Sequence, residues 1–329
     1  MPTTKKNLKN QATIVKTAHF KNHPPHKHHR KTGANKPRLA ELATIKEGFA
    51  KSFDGTSIWY QAQGKGVPMI FCNGLGCSTF YWKHIHSYFK KSNKVILFDW
   101  RGHGQSATPR NEINISIDAL TEDLYYVLKE LKITKAILLG HSMGIQILFR
   151  FYEKYPKMIK ALIPCFGTYG NPLDTFYNSS SSKYIFKAIY TFNHLFPKLA
   201  NGFGYLMSKN PLWFQMGSML KMMNPGLVDR KVLKEYIEHF TSVDPVFLAK
   251  LALSMQEYNA EPTLKNINVP VLIFAAEQDT FTPVWLSKKM HHLIPKSELM
   301  VIKNSTHVAL VEQPALINLR IEKFIKEHF

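Results

Sequence analysis

Acidic residues are missing from the first forty positions of this 329-residue chain, which hold ten Lys or Arg. Half of the formal net charge of +20 therefore sits in one stretch, together with His19, His23, His26, His28, His29, Pro24 and Pro25. Such a composition cannot bury enough apolar surface to offset the entropy of ordering, so residues 1–43 are expected to form a disordered basic tail. The short apolar run at positions 12–15 falls below the length of a secretory signal core, and the tail lacks the Arg and Ser enrichment of an organellar transit peptide. The expected place is the cytoplasm, with peripheral contact to anionic membrane through the tail. The excess charge suggests nucleic acid at first sight, but its concentration in the tail argues against that partner.

Cysteine is scarce. Cys72, Cys77 and Cys165 are odd in number and sparse, which excludes a disulfide framework and fits a reducing compartment. Cys72 and Cys77 are read as small buried hydrophobes. No apolar run reaches eighteen residues, so no membrane-spanning helix is expected. The Gly-rich pieces 74–76 and 102–104 have neither the G-x-G-x-x-G spacing of a dinucleotide site nor the Gly-Lys-Ser/Thr ending of a phosphate loop. The His tract at 23–29 is read as incidental, because ligands in a strongly positive disordered segment hold a cation poorly. No cofactor and no metal are expected, and oligomeric state is not legible.

From Thr44 onward strands and helices alternate. Runs at 46–53 and 56–63 flank Asp54-Gly55, a hairpin signal. Short apolar runs follow at 67–72, 94–98, 136–139, 161–166, 269–275 and 299–302, as parallel strands covered on both faces require. Helical periodicities lie between most of them, at 79–90, 116–131, 142–155, 283–293 and 314–327. The pattern predicts an α/β fold with a mostly parallel sheet, its core formed by residues 44–167 and 263–329. Residues 168–262 interrupt the rhythm and are expected to form an inserted helical lid. That insertion is rich in aromatic and Met residues, among them Phe186, Tyr190, Phe192, Phe196, Phe203, Tyr205, Met207, Trp213, Phe214, Met216, Met219, Met222 and Met223. Most are expected to pack lid helices, and some to line a pocket for an alkyl, acyl or aryl group.

Gly140-His141-Ser142-Met143-Gly144 follows the strand at 136–139 and opens a helix. Glycines there permit the sharp turn that projects a serine hydroxyl, so Ser142 is the candidate nucleophile. A serine needs a base and an orienting acid. Asp279 and His307 lie just beyond the strands at 269–275 and 299–302, at the sheet edge where such enzymes place their chemistry. Asp174 and Glu277 are alternative acids. His103, His141 and Asp99 are read as structural or pocket-lining.

These motifs, in this order, resemble the α/β-hydrolase superfamily of lidded esterases, lipases and C–C bond hydrolases over about 46–329. Asn73-Gly74-Leu75-Gly76 looks like the oxyanion loop, and Asp99-Trp100-Arg101-Gly102-His103-Gly104-Gln105-Ser106 resembles the segment after the fourth strand. By that resemblance Ser142, Asp279 and His307 take triad roles and the backbone N–H groups of Leu75 and Met143 bind the oxyanion. The family usually has His-Gly where Asn73-Gly74 stands, and Gly where Thr306 stands. The resemblance implies cleavage of an ester in an apolar substrate through an acyl-enzyme. The alternatives on the same triad are C–C hydrolysis or acyl transfer, and a non-catalytic binding protein is a third reading.

Overall fold

The computed structural model describes residues 45–176, 179, 181–196, 198–200, 202, 206 and 213–329. The expected basic tail, and Phe203, Tyr205 and Met207 of the insertion, lie outside the described residues, as do the side chains of Phe186, Trp213, Phe214 and Met216.

The hairpin signalled by Asp54-Gly55 joins β1 (Lys46–Lys51) to β2 (Ser57–Gln63), antiparallel, with Thr56 N–H donating to the Asp54 carboxylate at 3.1 Å. There follow β3 (Pro68–Cys72), α1 (Lys83–Phe89), β4 (Lys94–Phe98), α2 (Ile117–Glu130), β5 (Ala136–His141), α3 (Met143–Lys154) and β6 (Ile159–Cys165). After a run of helices the chain returns as β7 (Val271–Ala276), α9 (Val284–Leu293), β8 (Ser297–Ile302), α10 (Ala309–Glu312) and α11 (Pro314–His328). The strand order is β1-β2-β4-β3-β5-β6-β7-β8, with β2 antiparallel to β4 and every pair from β4 to β8 parallel. This is the mostly parallel sheet that the run pattern predicts. The helices differ in one detail: a 3-10 turn, Thr79–Trp82, precedes α1, so the helical periodicity at 79–90 is two elements.

Alternation along each strand divides the core. Ile70, Ile96, Leu138, Leu162 and Ile273 face one side, and Phe71, Leu97, Leu139, Ile163 and Phe274 face the other. Both sides bury large apolar surfaces, so the strands read as continuous apolar runs. Arg101, fully buried after β4, holds the β1–β2 turn to α2: its guanidinium donates twice to Asp123, at 2.6 and 2.7 Å, and to Asp54 at 2.9 Å. A fork of five donors suits that double carboxylate pairing in a way an ammonium does not.

Between β6 and β7 the described helices are α4 (Ser182–Leu195), α5 (Trp213–Met219), α6 (Arg230–Ser242), α7 (Pro245–Glu257) and α8 (Glu261–Leu264). Asp229 caps α6 through Lys231 N–H, and Asp244 caps α7 through Val246 and Phe247 N–H, with Pro245 at the first helical position. Two core glycines receive aromatic rings from this segment. A Cβ at Gly76 would collide with the Phe240 ring, and one at Gly102 would stand 2.7 Å from the Phe247 ring. Gly76 also has φ +66°, where a side chain adds strain.

Candidate active site

The central strand β5 ends at His141, and the chain turns at once into α3. Ser142 occupies the turn with φ 54° and ψ −117°, a conformation that costs a non-glycine residue about 1–3 kcal/mol. Close packing holds it there. A Cβ at Gly144 would run into the Cys72 carbonyl oxygen, so only glycine lets α3 start this close to the end of β3. Ser142 N–H is tied to Cys165 O at 3.1 Å, which anchors the turn to β6 as well.

His307 and Asp279 reach the serine from the ends of β8 and β7. His307 Nε2 lies 3.0 Å from Ser142 Oγ, and His307 Nδ1 lies 2.9 Å from Asp279 Oδ2. Asp279 is itself fixed: Oδ1 accepts from Phe281 and Thr282 N–H, both at 2.9 Å, and Oδ2 accepts from Thr282 Oγ1 at 2.9 Å. With Nδ1–H donating to the carboxylate, Nε2 is left as a bare acceptor for the serine proton. The Phe281 ring stacks on His307 with centroids 4.9 Å apart at 21°, an apolar cover on the imidazole. From the other side His141 Nε2 lies 3.1 Å from the His307 carbonyl, and burial holds the His141 imidazole well below its usual pKa, hence neutral.

The 73–76 loop lies against the serine, since a Cβ at Gly74 would stand 3.3 Å from Ser142 Cβ. Asn73 fastens the loop: its amide donates to Phe98 O at 2.9 Å, its side-chain oxygen accepts from the Trp82 indole at 2.8 Å, and its carbonyl accepts from the Trp100 indole at 3.0 Å. His103 fastens the far end, accepting from Gly76 N–H at 3.2 Å while its Nδ1 faces Arg101 O at 3.1 Å. Among the described residues the Leu75 and Met143 N–H groups bond to no protein acceptor. Met143 opens α3, where backbone N–H groups lack intrahelical partners and the helix presents its positive end. The site thus joins a hydroxyl, an imidazole, a carboxylate and two free N–H donors, the parts that acyl transfer uses.

A family model described as the alpha/beta hydrolase fold matches residues 67–314. The chain belongs to the α/β-hydrolase family. It is 26% identical over 279 residues to the uncharacterized hydrolase YugF of Bacillus subtilis, covering 83% of this chain and 96% of that one. It is 26% identical over 270 residues to 3-oxoadipate enol-lactonase 2 of Acinetobacter baylyi, covering 80% and 90%. Some other curated relatives are longer, and this chain spans 55% to 65% of their length. Among solved structures, an esterase from Exiguobacterium antarcticum has a TM-score of 0.68 at 20% identity, covering 85% of this chain and 100% of that one. That likeness speaks for the α/β-hydrolase fold alone.

Within this α/β hydrolase the other candidate acids stand elsewhere. Asp174 accepts from Gln256 Nε2 at 2.9 Å and pairs with Lys183 at 3.2 Å, and Glu277 accepts from Asn304 N–H at 3.0 Å. Neither meets His307. Asp99 accepts from Ser78 Oγ at 2.7 Å and Gln105 N–H at 3.0 Å, a local anchor for the loop after β4. The three thiols are buried, and burial pushes Cys77 up to about 12. Among the described residues no three His, Cys, Asp or Glu gather as a metal site.

Sequence reasoning missed the supports of His307. Buried Glu312 accepts from Thr306 N–H and Thr306 Oγ1, both at 2.8 Å, and from Asn224 N–H at 2.7 Å. Asn224 Nδ2 donates to Asn304 O at 2.9 Å, and Thr306 Oγ1 lies 3.2 Å from Met222 O. Turn 222–224 is therefore bonded to the loop that carries His307. The sole advance signal was Thr306 itself, a hydroxyl where the family resemblance implies glycine. A cavity of about 590 Å³ borders this junction, lined by Asp279, Thr306, Asn224 and Lys221 but not by Ser142 or His307.

Proposed function

We propose that this α/β hydrolase is a serine esterase acting on an apolar acyl or aryl ester. His307 takes the proton of Ser142 as the hydroxyl attacks the ester carbonyl, and Asp279 holds the imidazole and stabilises the imidazolium. The tetrahedral oxyanion is bound by the N–H groups of Leu75 and Met143. Imidazolium then protonates the departing alcohol, and water repeats the sequence to release the acid. The carrying observation is the chain of contacts Ser142 Oγ to His307 Nε2, 3.0 Å, and His307 Nδ1 to Asp279 Oδ2, 2.9 Å. Residues 168–262 serve as a lid in this reading. Phe281 against His307, with Phe240 and Phe247 from the insertion seated on core glycines, supports an apolar substrate. A lactone is an internal ester and would open by the same steps, which the enol-lactonase relative favours including.

The test is hydrolysis of p-nitrophenyl esters from short to long acyl chains, and of a lactone series, with Ser142→Ala beside the wild type. Activity peaking at a medium or long chain, and lowered by at least about a thousandfold in the variant, is the expected result. Equal turnover of acetate and decanoate esters removes the acyl-pocket part, and activity that survives in Ser142→Ala removes the mechanism. Product analysis with an alcohol acceptor separates hydrolysis from acyl transfer.

A further inference from the structure

Helix α4 turns an apolar stripe to solvent. Ile185, Ile189, Phe192 and Phe196 follow at i, i+4, i+7 and i+11, one line along the helix, and are 60%, 46%, 47% and 49% exposed. Tyr184 and Leu195 widen it, and Leu199 beyond the helix is exposed as well. The flank of α4 next to the stripe is the one engaged by the protein: Ser182 is buried, and Asn193 donates to the Pro245 carbonyl at the start of α7. Scattered exposed apolar residues need no explanation, but an aligned stripe on a helix already packed by another side does.

The segment that carries the stripe has charge of one sign. Residues 175–228 contain no Asp or Glu, and hold Lys183, Lys187, Lys198, Lys209, Lys221 and His194. Acids contributed nearby by other elements are already engaged: Asp174 with Lys183, Glu112 with Lys250 at 3.0 Å, and Asp244 in the cap of α7. An apolar helix face in an acid-free, lysine-bearing segment matches a surface that is apolar beneath and anionic at its rim.

We propose that the α4 face docks on the surface of an anionic lipid bilayer, with Ile185, Ile189, Phe192 and Phe196 in the acyl boundary and Lys187 and Lys198 among the headgroups. Among the described residues no helix is long and apolar enough to cross a membrane, so the contact is peripheral. Docking needs both parts. The lysines concentrate the protein at the charged surface, and the stripe retains it there once salt screens that attraction.

The experiment is co-sedimentation of the full chain with phosphatidylcholine vesicles, with and without phosphatidylglycerol, at low and high salt. Wild type is compared with Ile189→Asp/Phe192→Asp and with Lys187→Glu/Lys198→Glu, each checked by thermal unfolding to be folded. Binding of wild type to the anionic vesicles, weakened at least about tenfold by each pair, is the expected result. Undiminished binding of the Asp pair overturns the proposal and assigns attachment to the basic residues 1–43. Absence of wild-type binding overturns it too. Gel filtration without lipid supplies the last arm: a dimer that the Asp pair converts to monomer means that a second copy covers the stripe, and the bilayer is the wrong partner. Neither readout depends on esterase activity.

Discussion

Removing the Glu312 carboxylate should loosen the loop that carries His307. Glu312→Ala takes away the acceptor for Thr306 N–H, Thr306 Oγ1 and Asn224 N–H. The hydroxyl retains the Met222 carbonyl, so two backbone N–H groups lose their acceptor. Thr306 is buried and incurs the full desolvation penalty, while half-buried Asn224 can recover part of it from water. At about 1–3 kcal/mol for an unsatisfied buried donor, the loss is about 2–4 kcal/mol. A domain of this size moves by about 2–4 °C per kcal/mol, so the melting temperature should drop by about 5–15 °C. Glu312→Gln keeps one acceptor oxygen and should lose about half as much. Because Thr306 is bonded in sequence to His307, kcat on a soluble ester should also fall at least about tenfold in the Ala variant at a temperature where it is folded. A melting temperature within about 2 °C of wild type refutes the reasoning.

Acid should destabilise the fold through its buried imidazoles. Burial holds His103 at about 4 against 6.5 in the unfolded chain, so stability is complete above pH 6.5 and declines as pH falls from there to about 4, by roughly 3 kcal/mol for this group. His141, lowered in the same direction, adds to the loss; urea midpoints that stay flat across that window contradict both assignments. The thiols should be inert in the native protein, since all three are buried and Cys77 is pushed to about 12. A colourimetric thiol reagent should react only after denaturant is added, and prompt reaction of the native protein contradicts this.

The parts of the fold legible in the sequence were those dictated by local chemistry. Gly140 and Gly144 announced the turn at Ser142 because nothing larger fits there, and β5, wholly buried, read as an uninterrupted apolar run. Strand β8 starts two residues before its apolar run, because Ser297 and Glu298 sit on the half-exposed edge of the sheet, where polar side chains are tolerated. Asp279, Asp174 and Glu277 all stand near strand ends, and linear spacing does not rank them. Their separation appears only when the chain is folded, with the Asp279 carboxylate turned to His307 and the others engaged by Gln256, Lys183 and Asn304. The bond joining Glu312 to Asn224 spans 88 positions and follows no period, so no pattern in the sequence reports it.

The seating of Phe240 on Gly76 and of Phe247 next to Gly102 bears on how such a protein can be rebuilt. Each ring fills a dent that exists because the residue beneath has no side chain, so the segment bearing Phe240 and Phe247 is keyed to Gly76 and Gly102. A segment 168–262 transplanted from another hydrolase would need aromatic residues in register with both dents. Without them it would leave voids beside the 73–76 loop, and with bulkier core residues it could not seat at all. Exchanging residues 168–262 therefore calls for exchanging Gly76 and Gly102 together with them.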